Sequence, residues 1–204
     1  EITVAVNEAH KYGKRVAAHA QSRGGILNAL RGGVDTLEHG SELDDECIAL
    51  LREGRTTYVP TISNLYSYTE QGRKIGVAES VIAEVAVSAP AWIRSVELAH
   101  SAGVPIAMGG DVGNRYPHGQ NAVELEMLVR HGLSPLEAIH SATRVSAHAL
   151  DLAKEIGTLE VGKAADVIAV APDPLSDIRV LQESDNVKLV MRAGQVYKRA
   201  WATN

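Results

Sequence analysis

The feature that most constrains this chain is a recurring unit: a short apolar run that ends in a side chain of a metal-binding kind. Val16-Ala17-Ala18 ends in His19, and Val34-Asp35-Thr36-Leu37-Glu38 ends in His39 and Gly40. Val104-Pro105-Ile106-Ala107-Met108-Gly109-Gly110 ends in Asp111. Runs of this length, bounded by Gly or Pro, read as buried strands. Thr56-Thr57-Tyr58-Val59-Pro60 is another strand, without such a residue. Helical spacing fills the intervals, so the pattern predicts βαβ units, right-handed crossovers and a parallel sheet. In α/β folds of this kind chemistry gathers beyond the carboxyl ends of the strands. His19, His39 and Asp111 all stand there, and their heads are expected to converge.

The helices follow from caps and breakers. Thr3 to Tyr12 reads as a helix stopped by Gly13, and Gln21 to Arg31 as one ended by Gly32 and Gly33. Asp44 caps a third, running to Glu53. The polar segment after Pro60, with Tyr66 and Tyr68, reads as a loop running to about Gly76. Ala78 to Ala102 is a long helical region, expected to break near Pro90. Asn121 to Arg130 is helical, and Ser134-Pro135-Leu136-Glu137 is a capping box that opens a helix running toward Ala149. From about Lys154 the texture changes to β. Asp166 to Ala171, Val187 to Arg192 and Gln195 to Arg199 read as strands, with Ala193-Gly194 a tight hairpin turn. Two units are therefore expected: residues 1–153, α/β, and residues 154–204, mostly β.

Several function classes recede. A formal net charge of -5, with no Lys/Arg run, gives no footing for nucleic acid. No apolar run approaches the length of a membrane span, no signal peptide opens the chain, and no Gly-rich phosphate loop is present. Cys47 is the single cysteine, which points to a reducing compartment and a cytoplasmic location. The chain opens on Glu1 without Met, inside a helix, so a processed, trimmed or partly observed polypeptide is expected.

Taken in order, these segments resemble the amidohydrolase superfamily, and within it the imidazolonepropionase-like and prolidase-like metal-dependent hydrolases. The matching stretches are Val16 to His19, Asp35 to Gly40, Val59-Pro60-Thr61, Gly109-Gly110-Asp111, His118-Gly119, the helix with Glu124, and Ala142-Thr143. Gly157 to Asp166 and Asp173-Pro174-Leu175 complete the set. The resemblance implies a TIM-like (β/α)8 barrel beside a small β-sandwich. Residues 1–153 would be its second half, strands 5 to 8, and residues 154–204 a segment of the sandwich. The family's opening His-x-His pair and its metal-bridging Lys have no counterpart here. They belong to a missing N-terminal half that the fold would require.

The implied activity is hydrolysis of an amide-type C–N bond by metal-activated water, in a dipeptide, an N-acyl amino acid or a cyclic amide. The implied cofactor is a divalent metal, Zn²⁺ foremost, as one or two ions. By resemblance His19 and His39 bind the more exposed ion, and Asp111 binds the buried one and shuttles the proton. His118, Tyr66 and Tyr68 are the candidate substrate contacts, and Arg73 and Arg115 rank below them. His10, His100, His140 and His148 read as solvated or packed helix residues, and His131 as a helix-end histidine that complements the dipole. A homo-oligomer is the expected assembly, with no nucleic-acid or membrane partner. The competing reading is a catalytically inactive fragment or interaction module that keeps the half-barrel without the other ligands.

Overall fold

The computed structural model describes residues 1–113 and 116–201. Helix α1 (Ile2–Lys11) leads into strand β1 (Ala17–Ala20), then α2 (Arg23–Gly32), β2 (Thr36–His39), α3 (Asp45–Gly54) and β3 (Thr57–Val59). The three strands pair in parallel in the order β1-β2-β3. Side-chain caps open the two helices between them: Ser22 accepts from Gly25 N, and Asp44 from Cys47 N.

One face of this sheet carries the core. Leu37 and Tyr58 are fully buried there, among Ile26, Leu51, Cys47 and Val96 from the helices. Burying an aliphatic side chain of this size stabilises by about 1.5–3 kcal/mol. The opposite face is open. It floors a cleft of about 380 Å³ lined by Ala17, Thr36, Glu38, Val59 and Ala107.

Three expectations need correction. The Gly-Gly-Asp stretch, 104–111, is not a full strand. Only Ile106 bridges Tyr58, in parallel, through Tyr58 N to Pro105 O and Ala107 N to Tyr58 O, both 2.9 Å. On its far side Met108 N donates to Ser141 O, 3.2 Å away, instead of to a strand. That carbonyl belongs to the π-helix Ser141–Val145, between α7 (Pro135–His140) and α8 (Ser146–Ala149), and also accepts from Ser146 Oγ at 2.6 Å.

The second correction concerns the segment after Pro60. It is helix α4 (Ile62–Thr69), not a loop, so Tyr66 and Tyr68 are helical. The third concerns α5 (Glu79–Ser101), which runs unbroken through Pro90. Trp92, Ser95, Val96 and Ala99 all bury on its inner side, and that packing outweighs the hydrogen bond that Pro removes.

Helix α6 (Val123–Arg130) follows the Asp111 loop, and Ser134 and Glu137 form the anticipated capping box at α7. The chain then builds a separate antiparallel sheet, β4 (Val167–Val170), β5 (Val187–Arg192) and β6 (Gln195–Arg199), in that order. Ala193 and Gly194 both have positive φ, 48° and 79°, as a tight turn between two such strands requires. No helix among the described residues is long and apolar enough to cross a membrane.

Candidate active site

Parallel pairing brings the carboxyl ends of β1, β2 and β3 to one rim. His19, near the end of β1, is in register with Glu38, while His39 lies one step further, opposite Ala20. Strict alternation along the strands would send the two imidazoles to opposite faces. Yet their ring centroids are 4.3 Å apart in an edge-on arrangement. The backbone at His39 is left-handed, φ 69°, which breaks the alternation. Thr61 and Asp111, beyond the next two strand ends, are also left-handed, at φ 49° and 45°. Non-glycine residues hold such angles only where their surroundings impose them.

The surroundings of His39 are specific. Its Nδ1 is 2.7 Å from Thr61 Oγ1, and that hydroxyl donates to Pro60 O, also at 2.7 Å. With the Thr61 hydroxyl proton assigned to Pro60 O, His39 donates to Thr61 from Nδ1–H. The neutral ring then keeps its lone pair on Nε2, the state a metal ligand needs. Trp92 supports the same turn, donating from Nε1 to Pro60 O at 3.1 Å, with its ring 6.4 Å from that of His39. Burial lowers the His39 pKa, His19 lowers it further, and Asp111 acts in the opposite direction.

Tyr58 ties down the end of β2 from below. Its hydroxyl faces His39 O at 2.9 Å and Gly40 O at 3.2 Å. Gly40 permits that approach. A Cβ there would stand 2.6 Å from Tyr58 Cε2, on a backbone with φ 54°. Gly109 is constrained in the same way on the Asp111 side, where a Cβ would meet Val59 Cγ1 at 2.5 Å.

Asp111 is exposed and held at one oxygen. Asn64 Nδ2 donates to Asp111 Oδ2 at 2.6 Å, and Ser63 Oγ donates to Gly110 O at 3.3 Å. Both residues lie in the first turn of α4. Thr61, the N-cap of that helix, makes no side-chain cap bond. Glu124, from α6, supplies it: Oε1 accepts from Ile62 N at 2.9 Å and Oε2 from Ser63 N at 2.7 Å. Glu124 is fully buried, and burial pushes its carboxyl up to about 7 against the pull of those amides.

The anticipated site residues fare differently. His19 and His39 are brought together, and Asp111 is close enough for its charge to act on His39. Among the described residues, however, no three His, Cys, Asp or Glu side chains stand ready to hold a metal. His19 and His39 fit a divalent ion as a pair, since both carry imidazole nitrogen donors and their rings are 4.3 Å apart.

His118 is exposed, with its ring over Gly113, two residues past Asp111. Tyr66 directs its hydroxyl to His131 Nε2 at 2.6 Å, and Arg130 lies over its ring at 4.7 Å. Tyr68 is half-buried on the same helix. Arg73 pairs with Glu79 at 2.7 Å, and Arg115 lies outside the described residues. Sequence reasoning gave no role to Thr61, Asn64 or Trp92. The only signal was Val59-Pro60-Thr61, whose Thr follows a strand end directly.

The chain is similar to known proteins over nearly its whole length. The amidohydrolase family model matches residues 1–197. Ochratoxinase from Aspergillus niger is 35% identical over 200 residues, covering 97% of this chain and 41% of the enzyme. Its crystal structure superposes with a TM-score of 0.87, at 34% identity, covering 97% of this chain and 45% of that one. The structure of a Xaa-Pro dipeptidase with bound methionine in the active site also matches with a TM-score of 0.87, at 37% identity, over 97% of this chain and 48% of that one. An imidazolonepropionase from Bdellovibrio bacteriovorus is 29% identical over 175 residues, or 82% of this chain and 36% of the enzyme. The chain thus spans about half the length of these relatives, or less. With its βα order and the match over nearly its whole length in agreement, the chain belongs to the amidohydrolase family.

Proposed function

We propose that this chain is the second half of a metal-dependent amidohydrolase that cleaves an amide bond in a dipeptide, an N-acyl amino acid or a cyclic amide. The observation that carries the reading is the His19–His39 ring pair at adjacent parallel strand ends, with Nδ1 of His39 tethered to Thr61 Oγ1. Residues 1–153 then form half of a TIM-like barrel and residues 154–204 a segment of a composite sandwich. The remaining ligands come from the half that the longer relatives carry. The hydrolases named above, a dipeptidase and an ochratoxinase among them, support the substrate class.

His19 and His39 would hold the ion, and Zn²⁺ suits their imidazoles. When bound, it would supply a Lewis acid for the scissile carbonyl and lower the pKa of a water toward about 7. Asp111 is the base. Its Oδ2 is occupied by an amide donor, so Oδ1 is the oxygen that takes the proton of the attacking water and returns it to the leaving nitrogen. His118, at the rim, is the foremost substrate contact. Tyr66 and Tyr68 rank below it, since the Tyr66 hydroxyl already faces His131. A homo-oligomer in the cytoplasm completes the proposal.

The test is hydrolysis by the full-length natural protein of a panel of Xaa-Pro dipeptides, N-acyl amino acids and cyclic amides. The assay is run before and after dialysis against a chelator, then with Zn²⁺ restored. Turnover of at least one class, lost on chelation and recovered with zinc, is expected. Turnover indifferent to chelation contradicts the mechanism. A metal-loaded protein that turns over none of the panel favours the inactive module.

A further inference from the structure

The structure points to Glu124 and Asn64 as a positioning pair for Asp111, which is a role beyond the ligand set. The inference rests on the reading of Asp111 as the proton-handling residue. Helix α4 would ordinarily be capped by Thr61, but Thr61 is left-handed, φ 49°, and its side chain makes no cap bond, its hydroxyl lying against Pro60 O and His39 Nδ1 instead. The first-turn amides of α4 are therefore left for another acceptor. Glu124 meets both, with one oxygen on Ile62 N and the other on Ser63 N. It does so from 62 and 61 residues away, inside the core, with no exposed surface.

That geometry has a purpose at the rim. Fixing Ile62 and Ser63 fixes Asn64, the next residue. The Asn64 amide is oriented from both ends: Ser67 Oγ lies 3.3 Å from Oδ1, and Nδ2 donates to Asp111 Oδ2 at 2.6 Å. Ser63 adds a second tie, from Oγ to Gly110 O. The Asp111 backbone is left-handed, φ 45°, a conformation that its surroundings must hold. Glu124, the α4 turn and Asn64 together supply that hold. An Asn amide N–H only donates, so Oδ2 remains an acceptor and Oδ1 is the oxygen left to take a proton. The same turn also carries Thr61, so one helix terminus registers His39 against Asp111.

The experiment is a double-mutant cycle in the full-length protein with Asn64→Ala, Glu124→Gln and the pair. Gln can accept through one oxygen only, and its amide nitrogen would face a backbone donor. Loss of an outer partner of a metal-site residue costs about 10- to 100-fold. Each single variant is therefore expected to lower kcat by about that factor, with KM and metal content little changed, and to displace the acid limb of the kcat/KM pH profile. The double variant should be no worse than the more damaged single one, because both act through one chain of contacts. Additive losses, or an acid limb unmoved in Asn64→Ala, overturn the pairing. A readout independent of turnover is the Asp111 conformation in crystal structures of the two single variants. Asp111 should leave its wild-type rotamer in both, and an unmoved Asp111 in both refutes the inference even where the hydrolase reading holds. If Asp111 moves as expected while the wild type hydrolyses nothing, the hydrolase reading fails and the positioning stands.

Discussion

Asp111→Asn in the full-length protein is expected to lower kcat by about 10²- to 10⁴-fold, the range that a positioned proton-transfer group supplies. Metal content should fall far less. Asn64 Nδ2 already donates to Asp111 Oδ2. In the variant, the carbonyl oxygen of the substituted amide would keep that bond and its NH2 would replace Oδ1. That NH2 cannot accept the proton of the attacking water, yet an oxygen remains beside the ion. Steady-state kinetics paired with elemental analysis separates the two effects. Near-normal turnover in Asp111→Asn would rule out the shuttle role.

The second large effect concerns the chain expressed alone. Residues 1–204 are expected not to yield a well-protected soluble monomer. Among the described residues, strand β1 is paired on one side only, and the 104–111 stretch holds the sheet by the single bridge at Ile106. Such edges present unpaired backbone donors and acceptors, which barrels remove by closing. On the open face Ala17 is exposed, beside Val59 and Ala107, which are buried. In the C-terminal sheet Ile168 and Tyr197 remain more than half exposed, at 56% and 64%. Relatives of about twice the length carry further chain that could cover these faces. Size-exclusion chromatography with hydrogen exchange decides the matter. Self-association or fast exchange in β1 to β3 is expected, whereas a monomer with those amides strongly protected would defeat the prediction.

Much of this was readable from the residues. The strand ends at His19 and His39, the Asp44 cap, the Ser134–Glu137 capping box and the Ala193-Gly194 turn are local signals, and each stands where its pattern put it. What escaped is non-local. Ser63, Asn64 and Ser67 look like loop residues, yet all three are buried in α4. That helix is capped by a carboxylate some sixty positions away, which no window along the sequence can register. The 104–111 run has the composition of a strand, but strand pairing depends on a neighbour, and on its far side stands a π-helix carbonyl. Pro90 is a helix breaker by local rules and is overruled by the buried face that includes Trp92 and Val96. Nor could the alternation of side chains foretell that left-handed φ angles would accompany His39, Thr61 and Asp111 at the rim.

In the proposed enzyme His19 and His39 hold a divalent ion on which hydrolysis depends. The most direct measurement is metal stoichiometry of the full-length natural protein, wild type against His19→Ala and His39→Ala, with turnover recorded on the same samples. One or two ions per chain are expected in the wild type, with metal and turnover lost together in both variants. Wild-type metal content and turnover in either variant would contradict that role.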